Sequence, residues 1–156
     1  MCWVTGLPSH LAVGAIVRRG SDILLVADEE GWALPGGPVA DDEPLGAALR
    51  RKVVDETGLA MVRPGRLLWI ARYPVGNQAF DMLGFEVVET STAQGRSPKP
   101  PAAWVSLDEA VPHLEQMWFS PIRDPAVAYL TGRAAAATLW TWSRLDAPPE
   151  TVPELG

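Results

Sequence analysis

Residues 36 to 59 constrain this chain more than any other stretch. Gly36 and Gly37, flanked by Pro35 and Pro38, break any regular element and allow close backbone approach. Leu45, Ala48, Leu49 and Val53 then recur at i, i+3, i+4 and i+8, one apolar stripe on one face of a helix. Asp41 or Asp42 is placed to accept from the free amides at its start, and Pro44 suits the first turn. Gly58 supplies the left-handed position that ends it. The expected helix runs from about 45 to 57.

Asp55 and Glu56 sit side by side near the C-terminal end of that helix, where the macrodipole is negative. Two carboxylates there repel each other and the dipole, so a positive neighbour is needed. Three answers are open. A divalent cation is one. Arg51, four residues before Asp55, and Lys52, four before Glu56, are the others. In the last two cases the pairs are surface ion pairs worth a few tenths of a kcal/mol. The Gly-Gly loop adds a backbone carbonyl that a metal could use.

The remaining chain reads as a mixed α/β domain. Leu11–Val17 and Ile23–Ala27 are apolar runs joined by turn residues, a hairpin of buried strands. Leu67–Tyr73 and Phe80–Glu89 form two more strands, and Ala103–Val105 a short one. Asp81 and Glu86, five apart in one strand, should face opposite sides of the sheet. Ser106 and Glu109 fit a capping box at the head of a helix of about 107–116. A last helix is expected from Pro121 toward Trp142, with a break at Gly132. Residues 1–145 are taken as one domain and 146–156, with Pro148, Pro149 and Pro153, as an unpacked tail.

Composition excludes several classes. The formal net charge is −6 over 156 residues, so a protein that coats a nucleic-acid polymer is not expected. Cys2 is the single cysteine, which rules out an intramolecular disulfide or a Cys-rich zinc site. Arg18 and Arg19 follow the first apolar stretch instead of preceding it, the wrong order for a signal peptide, and no apolar run reaches membrane-spanning length. A cytoplasmic protein without a membrane partner is the expectation. Ala134–Trp142 is apolar and has two destinations, its own sheet or a second copy of the chain in a homodimer.

Gly37, five residues, Glu43, seven residues, then Arg51-Lys52-Val53-Val54-Asp55-Glu56-Thr57-Gly58-Leu59 resembles the box of the Nudix (MutT-like) hydrolases. Trp32-Ala33-Leu34-Pro35-Gly36-Gly37 is similar to the loop that leads into that box, and Trp104–Glu109 to the family's strand-to-helix step. The resemblance covers about residues 10–131. It implies a Nudix-type α/β/α sandwich with a mixed β-sheet. It also implies Mg²⁺- or Mn²⁺-dependent cleavage of a pyrophosphate in a nucleoside diphosphate derivative or similar small diphosphate. The metal would sit on Asp55, Glu56 and Gly37, with Glu56, Asp55 and Arg51 as the catalytic set. Glu43 and Gly58 would be structural. Lys52 and Trp32 are candidates to meet the substrate, Trp32 by stacking on a flat group. Trp69 and Tyr73 are alternative stacking surfaces.

The box departs from the family pattern at two acids. Lys52 stands where the pattern has Glu, and Asp55 replaces a Glu. Exchanging −1 for +1 roughly 5 Å from a dication costs about 3 kcal/mol even at the dielectric of water. Residues 90–103 contain no acid that could serve as a base; Asp81 or Glu86 is the substitute to look for. Two functions follow as expectations: a hydrolase with an eroded box, or a Nudix-like domain that binds a nucleotide or metabolite, or serves other chemistry, without that turnover.

Overall fold

A computed structural model describes residues 10–60, 62–89 and 97–153. Among them, nine strands and three helices form the fold. The order is β1 (Leu11–Arg19), β2 (Asp22–Asp28), β3 (Gly31–Ala33), β4 (Gly36–Pro38), α1 (Leu45–Thr57), β5 (Val62–Val75), β6 (Gln78–Glu89), β7 (Ala102–Ser106), α2 (Leu107–Glu115), α3 (Ser120–Leu130), β8 (Thr138–Thr141) and β9 (Glu150–Val152). The sheet runs β3-β2-β1-β6-β5-β8-β9, with β4 on β1 and β7 on β2. It is mixed: β1 is parallel to β6 and β5 to β8, and the other pairings are antiparallel.

Both faces of the sheet are covered, which is why β1 reads as an unbroken apolar run. Val13, Ala15 and Val17 pack with Ala48, Leu49 and Val53 of α1. Ala12 and Ile16 point the other way, into a larger core with Ala110 and Leu114 of α2 and Ile122, Ala126 and Leu130 of α3. This is the expected α/β/α sandwich. The α1 stripe is the one expected from spacing. Leu49 and Val53 are each worth about 1.5–3 kcal/mol of burial.

Five local expectations are corrected. Gly36–Pro38 does not stay irregular: it forms β4, with Gly36 opposite Gly14 and Gly37 opposite Val13. Glycine is required there, because a Cβ on Gly36 would lie 2.4 Å from the Val13 carbonyl oxygen. At the start of α1 the cap is Pro44, and no Asp side chain makes the capping bond. The capping box at α2 is likewise not closed through Ser106; separately, the first helical amide, Leu107, donates to the Ser21 carbonyl (2.9 Å). The helix that begins near Pro121 ends at Leu130, and Gly132 turns left-handed (φ 75°). Thr138–Thr141, β-branched and aromatic, then extends beside β5. Finally, the Pro-rich tail is not wholly unpaired, since Glu150–Val152 pairs with β8 while its residues stay exposed.

Strand β5 starts earlier than Leu67. Pro64 and Gly65 interrupt the sequence pattern, but the sheet absorbs them as irregular register between Pro64 and Trp69. Trp69 and Tyr73 are core residues, both 2% exposed or less. Trp69 lies opposite Gly84, and a Cβ on Gly84 would fall 2.1 Å from the indole. Gly84→Ala is therefore expected to destabilise the protein by about 1–3 kcal/mol, read from the urea midpoint at unchanged slope. A cost below about 0.5 kcal/mol would mean the ring can move aside freely.

Candidate functional site

Two clasps hold α1 to the loop and strand that precede it. Arg51 forms the first. Its Nε donates to Glu43 Oε2 (2.9 Å), and a terminal nitrogen donates to Glu43 Oε1 (2.9 Å) and to the Pro38 carbonyl (3.1 Å). The Ala40 amide also donates to Glu43 Oε1 (3.0 Å). Those donors, Arg51 first, lower the Glu43 carboxyl to about 2. The i,i+4 pairing of Arg51 with Asp55 is not formed; Arg51 reaches back to Glu43 instead.

Glu56 forms the second clasp. The Gly36 amide donates to its Oε1 (3.0 Å), bringing β4 and the end of α1 together. Oε2 accepts no hydrogen bond from the described residues. Burial pushes the Glu56 carboxyl up, the Gly36 bond and the Lys52 charge oppose that rise, and Asp55 and Asp28 add to it. Asp28, at the end of β2, is a neighbour the sequence did not single out. Only the sheet brings it near the box.

Lys52 lies across the glycines. A Cβ on Gly37 would sit 2.2 Å from Lys52 Cε and 2.7 Å from its Nζ. The Lys52 stem thus covers the face of Gly37, the residue expected to offer a carbonyl. Among the described residues neither Lys52 nor Asp55 makes a hydrogen bond or an ion pair. Asp55 is exposed. Beside Lys52, a shallow hollow of about 240 Å³ is lined by Pro38, Val39, Ala40 and Arg51.

The C-terminal end of α1 is tied down as the sequence suggested. Gly58 adopts φ 76° and its amide donates to the Val54 carbonyl (2.8 Å). The Lys99 amide donates to the Thr57 carbonyl (2.8 Å), so the acid-free loop contributes a backbone donor to the helix end. Arg96 lies outside the described residues.

The substitute acids are engaged elsewhere. Asp81 receives two hydrogen bonds from Arg72 (2.8 Å each), and Glu86 pairs with Arg66 (3.5 Å). Glu86 also borders a hollow of about 530 Å³ with Arg18, Arg19 and Glu89, none of them box residues. Trp32 is half-buried and meets the His113 ring at 5.6 Å. Those two rings line a narrow cleft of about 60 Å³ with Asp28 and Trp118. Asp28 thus belongs both to this cleft and to the electrostatic surroundings of Glu56.

The model of the NUDIX domain family matches residues 8–126. The chain belongs to the Nudix family. By family it is a hydrolase. No curated protein matches the sequence significantly. Solved structures share the fold at low identity. A NUDIX hydrolase from Nitrosomonas europaea superposes with a TM-score of 0.64 at 18% identity, covering 85% of this chain and 78% of that one. A UDP-X diphosphatase gives 0.58 at 18%, covering 83% and 66%. The MutT protein of Methanosarcina mazei Go1 gives 0.54 at 23%, covering 79% and 92%.

Nudix hydrolases generally use divalent metals. Among the described residues no cluster of three His, Cys, Asp or Glu side chains could hold a metal. What remains is the unpartnered Asp55 carboxylate and the uncommitted Oε2 of Glu56. Two carboxylates suffice for a magnesium ion whose other ligands are water and substrate phosphate.

Two predictions follow from these carboxyls. The lowered Glu43 value means its contribution to stability is complete above the ordinary 4.5 and is lost as the pH falls toward about 2. Glu43→Gln should flatten the fall of the melting temperature over that window. The raised Glu56 value has the opposite sign: its contribution is present at low pH and lost as the pH rises through the folded value. Glu56→Gln keeps an acceptor for Gly36 and removes the penalised charge. Its melting temperature should exceed that of the wild type at pH 8, with the gap closing toward pH 4.

Proposed function

We propose that this protein hydrolyses the pyrophosphate linkage of a small diphosphate, a nucleoside diphosphate derivative being the favoured class. The Glu56–Gly36 bond carries this reading. It fastens the retained acid of the box onto the glycine strand, which fixes the carboxylate that would take the metal. Asp55 and Glu56 would hold a single Mg²⁺ or Mn²⁺. That ion, when bound, supplies charge neutralisation for phosphate oxygens and lowers the pKa of water.

The chain's own residues do the rest. Glu43 and Arg51 fix the helix relative to the loop, so the Asp55–Glu56 pair does not drift from the glycines. Burial keeps the Glu56 environment partly dry, which strengthens its interaction with any cation. Trp32 offers an aromatic face near Asp28 for the group beyond the diphosphate. A single cysteine suits a reducing, cytoplasmic setting.

A second reading is favoured by one observation. Lys52 covers Gly37 and replaces a box acid, which suits a domain that binds a nucleotide or sugar phosphate without cleaving it.

The deciding assay is phosphate release from a panel of nucleoside diphosphate derivatives with Mg²⁺ or Mn²⁺. Turnover is expected for the wild type, abolished by EDTA and reduced about 100-fold or more in Glu56→Gln. Turnover indifferent to EDTA removes the metal-dependent reading. No turnover, with a ligand-induced rise in melting temperature, establishes the binding domain instead.

A further inference from the structure

We infer that the Lys52 ammonium is a built-in cation of this box, which grips a phosphoryl group of a diphosphate directly and lets the anion bind without a divalent metal. The substrate class rests on the function proposed above; the role of Lys52 rests on its own geometry.

Three backbone donors of the loop are already engaged. The Gly36 amide is held by Glu56, the Val39 amide by the Leu11 carbonyl, and the Ala40 amide by Glu43. Those three amides cannot receive a phosphate. Arg51 has two of its nitrogens committed to Glu43 and Pro38. Lys52 differs. It makes no hydrogen bond or ion pair among the described residues, although Glu56 lies one helical turn on and Glu43 is close enough for its charge to be felt.

Lys52 is also placed by the glycine beneath it. The stem lies flat on Gly37, where any larger residue would displace it, so the ammonium is delivered to the loop by packing. It borders the hollow formed with Arg51 and residues 38–40. An anion in that hollow meets one uncommitted ammonium and the edge of a guanidinium. A cation there meets the same ammonium as a repulsive charge. The exchange of Glu for Lys in the box therefore moves the site toward the anion and away from the metal.

Calorimetric titration with imidodiphosphate, a pyrophosphate analogue that resists hydrolysis, tests this in metal-free, low-salt buffer. The wild type is expected to bind. Lys52→Met should weaken binding at least about tenfold, the scale of one charge-assisted hydrogen bond. Arg50→Met removes an equal charge from an exposed position of α1 and should bind as the wild type does. In parallel, Lys52→Glu should bind Mn²⁺ at least about tenfold more tightly than the wild type, read by electron paramagnetic resonance. Circular dichroism checks that each variant is folded. Equal binding by wild type and Lys52→Met overturns the inference, as does equal weakening by Lys52→Met and Arg50→Met, or no metal-free binding at all. The two proposals fail separately. Lys52-dependent binding without turnover of any diphosphate leaves the inference standing and removes the hydrolase; turnover without metal-free binding does the reverse.

Discussion

The fastening of α1 to the glycine strand governs the geometry of everything around it. At one end Arg51 draws Glu43, the Ala40 amide and the Pro38 carbonyl into one knot. At the other, Glu56 takes the Gly36 amide. Between these ends the apolar stripe of the helix seals against β1. The burial supplies most of the energy and leaves the helix free to slide; the two polar ties fix where along the strand it stops. A shift of one residue would carry Glu56 away from Gly36 and Lys52 away from Gly37.

The same fastening sets the electrostatics. Glu43 is exposed enough to be hydrated yet surrounded by donors, so its charge is favoured. Glu56 is drawn into a drier place with a single amide, so its charge is disfavoured. Two acids of one motif are thus driven in opposite directions by their surroundings. The first serves as a stable anchor. The second is left with a poorly compensated charge that a cation would relieve, and Lys52 is the cation among the described residues whose charge acts on it.

Much of this was legible because it depends on spacing within one element. The stripe at Leu45, Ala48, Leu49 and Val53, the stop at Gly58, and the box from Gly37 to Leu59 are all local patterns. Expectations failed where the partner was distant. Gly36–Pro38 reads as a break, yet β1 recruits it as a strand because only glycine fits beneath the Val13 carbonyl. Ser106 sits at the N-cap of α2 yet makes no capping bond with its side chain, and the turn before β2 ties down the first amide of that helix through Ser21. Thr138–Thr141 follows an alanine-rich run that suggests helix, and the open edge of β5 draws it into the sheet. Asp28 gave no local signal, because its relevance to Glu56 depends on where β2 ends in space.

The sequence by itself determined the family, the helix that carries the acids and the substitution of Lys52 for an acid, because each is a matter of residue type at fixed spacing. Tertiary structure alone decided the partners. Arg51 chose Glu43 over Asp55, Glu56 chose the Gly36 amide over Lys52, and Lys52 was left lying on Gly37 with no hydrogen bond or ion pair among the described residues. Helical spacing only states which side chains can meet; packing of the helix on the sheet brings in competitors from other segments, and the donor that arrives with the better geometry and the drier setting takes the bond.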